Sequence, residues 1–281
     1  MSDRTSLGDR MKSYESKYSH EFFSYIPVMA RLDGRAFHSF CKGLKRPFDK
    51  RFSDLMVKTT EYLVAETNAR CGYTQSDEIT LVWINENINS EIFFAGKLQK
   101  MNSMLASMAS VYFNKNLETF LPEKKDKTPL FDCRVFQVPT DFEAVNCFIW
   151  REQDASRNSV MMAAQAVFGH SKCQNKKKSE LIDMLLAEKN INWQDYPIFF
   201  KRGTYVRRKT VECLFTAKEI ELLPEMHKAR NNPNLRVKRS IVTAEPLPPL
   251  AKIINRREVI FCAAPACESE LSSERAEVNV D

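Results

Sequence analysis

The chain has 281 residues, of which 43% are hydrophobic, so it is long enough to bury a sizeable core. No apolar run approaches the roughly 20 residues that a membrane span needs, and residues 1–16 lack the apolar segment of a signal peptide. We therefore expect a cytoplasmic protein that has no membrane partner. The eight cysteines form no CxxC pair, which leaves a zinc site unsupported.

The net charge of +6 is unevenly distributed along the chain. Residues 1–170 carry a net charge of +1, residues 171–257 carry +10 and residues 258–281 carry −5. A basic segment of this kind is typical of proteins that bind a polyanion, most commonly nucleic acid. A solvated basic face is the alternative that composition leaves open. The end of the chain is acidic and poor in apolar residues, which predicts a disordered tail at 261–281.

The first half of the chain predicts a split strand–helix–strand arrangement. Strands are expected at 27–32, at 79–84 after a hairpin turn, and at 131–138. Apolar residues at helical spacing predict helices at 50–70 and from about 90 to 116. This order indicates an α+β fold of the ferredoxin-like type, an antiparallel sheet with helices on one face.

The second half predicts a mainly helical and basic region. Helices are expected at 141–150, at 155–168 and, capped by Ser179, as far as residue 188. Residues 198–211 alternate apolar and basic side chains about a glycine, which indicates a basic hairpin.

The expected organisation has three parts. We place an α+β domain at 1–140, the helical and basic region at 141–260, and the acidic tail at 261–281.

Three carboxylates lie beside predicted strands. Asp33 ends the first strand, and Asp77 and Glu78 occupy the hairpin turn before the second. Adjacent acids repel each other, so a turn that keeps them together suits a cation between them and an anionic substrate. Two Mg²⁺ ions about 3.5–4 Å apart can serve a displacement at phosphorus. We therefore predict that these three carboxylates, with the carbonyl of Gly34, hold two Mg²⁺ ions and form the catalytic site.

Basic and polar side chains flank the carboxylates and are suited to contact a nucleoside triphosphate. They are Arg35, His38, Lys42, Lys45, Arg46 and Ser76. An ordinary charged turn, with Arg35 as its salt-bridge partner, is the alternative that the spacing leaves open.

Two long motifs carry a resemblance to a known family, RLDGRAFHSF at 31–40 and GYTQSDEI at 72–79. They resemble motifs of the tRNA-histidine guanylyltransferase family. Shorter matches extend the resemblance: RPFD (46–49), FDCRVFQVP (131–139), FIWREQDASRNSVMMAAQA (148–166) and FFKRGTYVRR (199–208). The pattern is most similar to the bacterial and archaeal guanylyltransferase-like branch. The resemblance implies a polymerase palm-like fold for residues 1–140.

The resemblance also implies an activity. Members of this family add nucleotides to the 5′ end of tRNA, in the 3′-to-5′ direction. ATP would activate a 5′-monophosphate as an adenylate, and the 3′-hydroxyl of GTP would then attack the activated phosphate. The implied partners are tRNA, ATP, GTP and Mg²⁺, and the implied assembly is a homotetramer built as a dimer of dimers.

The resemblance assigns roles to individual residues. It places the metal site at Asp33, Gly34, Asp77 and Glu78. It implies nucleotide contacts from Arg35, Ala36, Phe37, His38, Lys42, Lys45, Arg46, Ser76, Asn158, Lys178 and Ser179. The basic segment would bind RNA phosphates through Lys172, Lys176, Lys177, Arg202, Arg207 and Arg208.

One departure narrows the expected substrate. Residues 156–162 are SRNSVMM, where eukaryotic members carry HINNLYN, and Asn158 is the position that clearly matches. We therefore expect templated repair of truncated tRNA 5′ ends, and the addition of a single G to histidine tRNA stays open.

Two other function classes also remain open. A palm-type nucleotide cyclase or small-molecule nucleotidyltransferase would use the same carboxylates but would need no long basic surface. A non-catalytic RNA-binding protein would have no use for three carboxylates, which are costly to bury without partners.

Overall fold

The computed structural model of the protein describes residues 5–85, 90–232 and 234–268. Most of the tail expected at 261–281 lies outside the described residues, so its disorder stays a prediction. Within the described ranges, no helix combines the length and the apolar character that crossing a membrane requires.

The described chain forms a mixed α+β structure. Its strands are β1 (Val28–Arg35), β2 (Cys71–Gln75), β3 (Glu78–Trp83), β4 (Leu130–Gln137), β5 (Thr204–Leu214) and β6 (Arg236–Glu245). Its longer α-helices are α1 (Ser6–Ser16), α3 (Lys50–Thr67), α4 (Leu98–Phe120), α5 (Asp141–Phe168) and α7 (Lys178–Lys189). Its short α-helices are α2 (Phe37–Phe40), α6 (His170–Cys173), α8 (Ile198–Arg202), α9 (Ala217–Leu222), α10 (Lys228–Asn231) and α11 (Arg256–Phe261).

The six described strands form one antiparallel sheet in the order β4-β1-β3-β2-β5-β6. Its first four strands have the order of a ferredoxin-like fold, so the α+β expectation is confirmed. The sheet continues past residue 140, because β5 pairs with β2 and β6 pairs with β5. The region expected to be mainly helical thus also supplies two strands, and the division into three parts stays a prediction.

Both faces of the sheet carry helices. Val28, Ala30 and Leu32 on β1 point to one face and share a core with α3 and α4. Met29 points to the other face and packs with Phe148 of α5. Helices α3 and α4 therefore cover one face as expected, and the first half of α5 covers part of the other.

The helix bounds differ from the predicted ones for local reasons. Helix α4 begins at Leu98 because Phe94 and Ala95 have positive φ angles of 51°. The two helices expected at 141–150 and 155–168 form one continuous helix, α5. Arg151 and Asp154, near its middle, form an ion pair within the helix. Helix α7 begins at Lys178, so Ser179 lies in its first turn and does not cap it.

The hairpin predicted at 198–211 is wrong. These residues form helix α8 and the start of β5, separated by Gly203, which has a φ of +80°. A Cβ atom at Gly203 would lie 2.6 Å from the hydroxyl of Tyr73. The glycine therefore ends the helix where the chain passes close to β2.

Candidate active site

The predicted carboxylates meet at the ends of β1 and β3. Asp33 lies directly opposite Glu78 in the strand register, and Asp77 occupies the turn before β3. The amide of Gly34 donates to the carbonyl oxygen of Asp77 at 3.1 Å. Ser76, with a φ of +54°, forms the tight turn, and its Oγ donates to Asp77 Oδ1 at 3.0 Å. These contacts fix the turn against the end of β1.

A cleft of about 350 Å³ opens beside this turn. It is lined by Asp33, Gln75, Ser76, Asp77, Glu78, Asn158, Met161 and Met162. Asn158 and the two methionines come from α5, within the segment 156–162 that departs from the eukaryotic motif. The cleft therefore joins carboxylates on one side to an amide and two thioethers on the other.

The electrostatics of the turn favour a cation. Burial raises the pKa of the Asp77 carboxyl above its ordinary value, and the hydrogen bonds from its own backbone and from Ser76 oppose that rise. The negative charges of Asp33 and Glu78 raise this pKa further. A positive ion between the carboxylates would remove this repulsion.

The carboxylate of Glu78 has two arginine partners. Its Oε2 accepts a hydrogen bond from Nη2 of Arg151, a buried residue of α5. Its Oε1 lies 3.7 Å from Nε of Arg31. Arg151 also donates to Asp154 Oδ2 at 2.8 Å, and Asp154 Oδ1 accepts from Arg157 at the same distance. Of these contacts, the sequence predicts only those within α5, such as the pair of Arg151 and Asp154, which are three residues apart on one helix.

The donor set fits Mg²⁺ through two of the three predicted carboxylates. Among the described residues, no group of three His, Cys, Asp or Glu side chains is arranged to hold a metal ion. Mg²⁺ usually takes one or two protein carboxylates and keeps water or phosphate as its other ligands. Asp33 and Asp77 supply such a pair, whereas Arg31 and Arg151 compete for Glu78.

Comparisons with known proteins identify the family of this chain. A family model described as Thg1, tRNAHis guanylyltransferase, matches residues 8–139. A solved bacterial tRNA(His) guanylyltransferase (Thg1)-like protein in complex with ATP is 40% identical, with a TM-score of 0.69. The match covers 72% of this chain and 88% of that chain. This chain belongs to the tRNA(His) guanylyltransferase family.

Two further proteins are similar to this chain. A bacterial Thg1-like protein in complex with GTP is 31% identical with a TM-score of 0.68, over 88% of this chain and 95% of that chain. Uncharacterized protein R259 of Acanthamoeba polyphaga mimivirus is 31% identical over 73% of this chain and 78% of its own length. As a member of the tRNA(His) guanylyltransferase family, the protein is a nucleotidyltransferase.

In this family member, the residues after Asp33 divide between surface and core. Arg35, Ala36 and His38 are exposed around the start of α2, where they are accessible to a nucleotide. Phe37 is 2% exposed, so its side chain lies in the core, and its predicted nucleotide contact stays a prediction. Its ring packs in the core, and a Cβ atom at Gly34 would lie 2.4 Å from that ring.

The basic loop before α3 is held by Asp49, which the residue pattern does not single out. Asp49 caps α3 by accepting from the amide of Arg51 at 3.0 Å, and it accepts from the amide of Lys45 at 3.3 Å. The hydrogen bond from the Arg51 side chain lowers the pKa of the Asp49 carboxyl. The predicted nucleotide contacts Lys42, Lys45 and Arg46 are all exposed on this fixed loop.

Lys178 lies against α5 on the side of Asn158. Its Nζ donates to Ser156 Oγ at 3.0 Å and lies 5.3 Å from the ring centroid of Trp193. Burial lowers the pKa of Lys178, and the charge of Arg157 lowers it further. A phosphate near these two cations would be attracted by both. The other predicted contact from this helix, Ser179, is exposed.

The predicted RNA contact of Arg207 is corrected by its burial. The side chain is 3% exposed, and its Nε pairs with Glu245. Its Nη1 donates to the carbonyl oxygens of Val259 and Ala264 at 3.0 and 2.7 Å. Arg207 therefore joins β5 and β6 to the chain around α11 and presents no charge to RNA.

Arg208 and Arg202 also make contacts within the protein. Arg208 donates to the carbonyl oxygen of Ala65 at 3.0 Å near the end of α3, and to Ser240 Oγ at 2.9 Å. It therefore caps the last turn of α3 and is not a free phosphate contact, contrary to prediction. Arg202 is half-buried, with Nε 3.6 Å from Glu152 Oε1.

The three predicted lysines near α6 and α7 lie at the surface. Lys177 is exposed and Lys176 is partly exposed. Lys172 is exposed but pairs with Glu188 at 2.5 Å. Of the predicted RNA contacts, Lys176 and Lys177 are the best placed to meet a phosphate backbone.

Proposed function

We propose that this protein is a 3′-to-5′ polymerase that repairs truncated tRNA 5′ ends by templated addition of nucleotides. The observation that carries the proposal is one cleft, in which Asp33 and Asp77 face Asn158, Met161 and Met162. Membership of the family supports tRNA as the substrate. The complexes of two bacterial relatives with ATP and GTP support the two triphosphates that this chemistry uses.

The proposed reaction has three steps. An oxygen of the RNA 5′-monophosphate attacks the α-phosphorus of ATP, pyrophosphate leaves, and the RNA carries a 5′-adenylate. The 3′-hydroxyl of GTP loses its proton and attacks the 5′-phosphorus of the RNA, and AMP leaves. Water then displaces pyrophosphate from the new 5′-triphosphate end, which returns a monophosphate. Positioning and charge dominate displacements of this kind at phosphorus.

The residues of the cleft have separate roles in this proposal. Asp33 and Asp77, with the Gly34 carbonyl, would hold two Mg²⁺ ions, which supply Lewis-acid stabilisation of the phosphate oxygens. Arg151 neutralises Glu78 and fixes α5 beside the carboxylates. Lys178 adds positive charge on the α5 side, where a triphosphate would extend.

The preference for templated addition rests on the α5 wall of the cleft. Asn158 offers one amide, and Met161 and Met162 offer no strong hydrogen-bond donor. Such a wall discriminates poorly between nucleobases, because strong discrimination needs polar groups matched to one base. Base pairing with the opposite tRNA strand would then select the nucleotide.

An addition assay tests the proposal. The protein is incubated with Mg²⁺, ATP, labelled nucleotides and 5′-monophosphorylated tRNAs, both full-length and lacking the first nucleotide, from histidine and non-histidine species. We expect truncated tRNAs of both species to gain the nucleotide that pairs with the template base. No extended product, under conditions in which a bacterial relative reacts, contradicts the proposal.

The same assay separates the alternatives. Extension of histidine tRNA alone by one unpaired G would indicate histidine-tRNA marking. A labelled product formed from nucleotides without RNA would indicate a cyclase or a small-molecule nucleotidyltransferase. The homotetramer remains a proposal that rests on the resemblance, and light scattering would measure the mass of the assembly. The cytoplasmic location remains a proposal that rests on the sequence.

A further inference from the structure

Trp150 is an exposed aromatic residue beside the carboxylates. It lies on α5 immediately before Arg151 and is 47% exposed. The other two tryptophans of the chain, Trp83 and Trp193, are 1% and 6% exposed. We propose that the indole of Trp150 is a stacking platform for the base at the 5′ end of the RNA substrate. This inference rests on the proposed function.

Two arginines hold the ring in place. The guanidinium carbon of Arg151 lies 4.3 Å from the ring centroid, and that of Arg31 lies 5.5 Å away. Both arginines also contact Glu78, so the position of the ring is tied to the carboxylate cluster. A ring that is already fixed loses little side-chain entropy when a base stacks on it.

The distance to the carboxylates suits a single nucleotide. Arg31 precedes Asp33 by two residues on β1, so the two side chains share a face of the sheet about 6.6 Å apart. A 5′-phosphate beside Asp33 would therefore place the base of its own nucleotide within reach of Trp150.

The neighbouring sheet surface suits a phosphate backbone. Arg134 on β4 lies directly opposite Arg31 in the strand register, and its side chain is 54% exposed. Like charges directly opposite each other destabilise a sheet. Asp132, 3.4 Å from Arg134, and Glu78, 3.7 Å from Arg31, offset part of this repulsion. A phosphate between the two arginines would relieve the rest, as in other phosphate contacts that position a nucleic acid.

The opposite end of the cleft suits the incoming triphosphate. Asn158 follows Trp150 by eight residues, which is about 12 Å along the helix. Lys178 is bonded to Ser156 at that same end. The Trp150 end is therefore free to bind the second substrate, the RNA. The 5′ end of an RNA can supply both an unstacked base for Trp150 and phosphates for the arginines.

Tryptophan fluorescence tests the contact directly, because Trp150 is the tryptophan accessible to a quencher. Acrylamide quenching is measured for the full-length wild-type protein alone, with a saturating 5′-monophosphorylated tRNA that lacks its first nucleotide, and with saturating GTP. We expect the tRNA to protect Trp150 as fully as the two buried tryptophans and GTP to leave it accessible. Unchanged quenching with tRNA bound, as shown by a gel shift, overturns the inference. Protection by GTP alone overturns the assignment to RNA.

Variants test the contribution to affinity. Trp150→Ala should weaken tRNA binding by about fivefold or more, and Trp150→Phe should retain most of it, because stacking on an aromatic ring is worth about 1–3 kcal/mol per base. Phe142→Ala is a matched control, since Phe142 is 64% exposed about two turns earlier on α5. The KM for GTP should not change in any of the three variants.

Two outcomes of the variant series overturn the inference. One is wild-type tRNA affinity in Trp150→Ala. The other is an equal loss in Trp150→Phe and Trp150→Ala accompanied by a lower Tm, which would indicate a structural role. Both measurements report binding. A wild-type protein that protected Trp150 with tRNA but added no nucleotide would therefore contradict the proposed function alone.

Discussion

Arg151 on α5 donates a hydrogen bond to Glu78 on β3, and this bond attaches the helix to the strand that carries the acidic turn. Arg151 is 7% exposed and has a second carboxylate partner in Asp154. The desolvation of its charge is therefore offset by two acids. Among the described residues that line the cleft, Asp33 and Asp77 are then the carboxylates without an arginine partner.

Removal of Arg151 should destabilise the protein through Glu78. In Arg151→Ala, the partly buried charge of Glu78 keeps only the more distant Arg31, and we expect the free energy of unfolding to fall by about 3 kcal/mol. In a Glu78→Gln background the same substitution should cost less, because no stranded charge remains. Urea unfolding of the wild type, the two single variants and the double variant measures this coupling. Strictly additive effects would contradict the pairing.

Neutralisation of Asp77 should separate activity from stability. Asp77→Asn removes a carboxylate whose pKa is raised by burial and by its acidic neighbours, so without metal the variant should be at least as stable as the wild type. Its rate of nucleotide addition should fall by about 100-fold or more, because metal ions stabilise transition-state charge by several kcal/mol.

Thermal unfolding in EDTA and the addition assay measure the two effects of Asp77→Asn. Asp126→Asn, at an exposed acid outside the cleft, is the control and should change neither quantity. A clearly lower Tm for Asp77→Asn would show that this carboxylate has a structural partner.

Asp49 should make stability depend on acid pH. The hydrogen bond from Arg51 holds the folded-state pKa of Asp49 below its ordinary value of 3.8, so the ionised carboxylate stabilises the fold. This contribution is complete above pH 3.8 and is lost as the pH falls through the folded-state value. Asp49→Asn should therefore be less stable than the wild type near neutral pH, and the gap should close in acid. Tm measured across this pH range checks the prediction, and a gap independent of pH would refute it.

The salt dependence of tRNA binding should distinguish the exposed lysines from Arg207. Alanine at Lys176 and Lys177 should lower the slope of log affinity against log salt by about 0.9 for each lost phosphate contact, with Tm unchanged. Arg207→Ala should leave that slope unchanged but lower the free energy of unfolding by about 1–3 kcal/mol, because the carbonyl oxygens of Val259 and Ala264 lose their donor while Glu245 keeps Lys209. Filter binding at several salt concentrations and urea unfolding provide the two readouts. An unchanged slope for the lysine variant would show that Lys176 and Lys177 do not contact RNA phosphates.

The residue pattern predicts the parts of the site that are local in sequence. Asp33, Ser76, Asp77 and Glu78 follow from alternating strands and a tight turn, and the ferredoxin-like strand order follows from the succession of elements. The hydrogen bond of Glu78 to Arg151 spans 73 residues, and no local pattern encodes it.

Tertiary packing likewise decides which basic residues are exposed. Arg207 and Arg208 are consecutive in a basic segment, which is the usual mark of a surface. The burial of Arg207 depends on β6 and α11, and Arg208 is bonded to β6 and to the end of α3, elements that lie far away in the chain. The same holds for Phe37, which lies inside a motif assigned to nucleotide binding but packs against Phe40 and Phe131 at 5.1 Å between ring centroids.

The absence of a side chain at Gly34 lets the aromatic core pack directly against the end of β1, beside the acidic cleft. The Phe37 ring fills the space that a Cβ atom would take, and that ring belongs to a cluster with Phe52 and Phe113. The same glycine carries the amide that bonds the carbonyl of Asp77. The acidic turn and the aromatic core are thereby one cooperative unit, so the cleft keeps its shape between substrates for as long as the core stays folded.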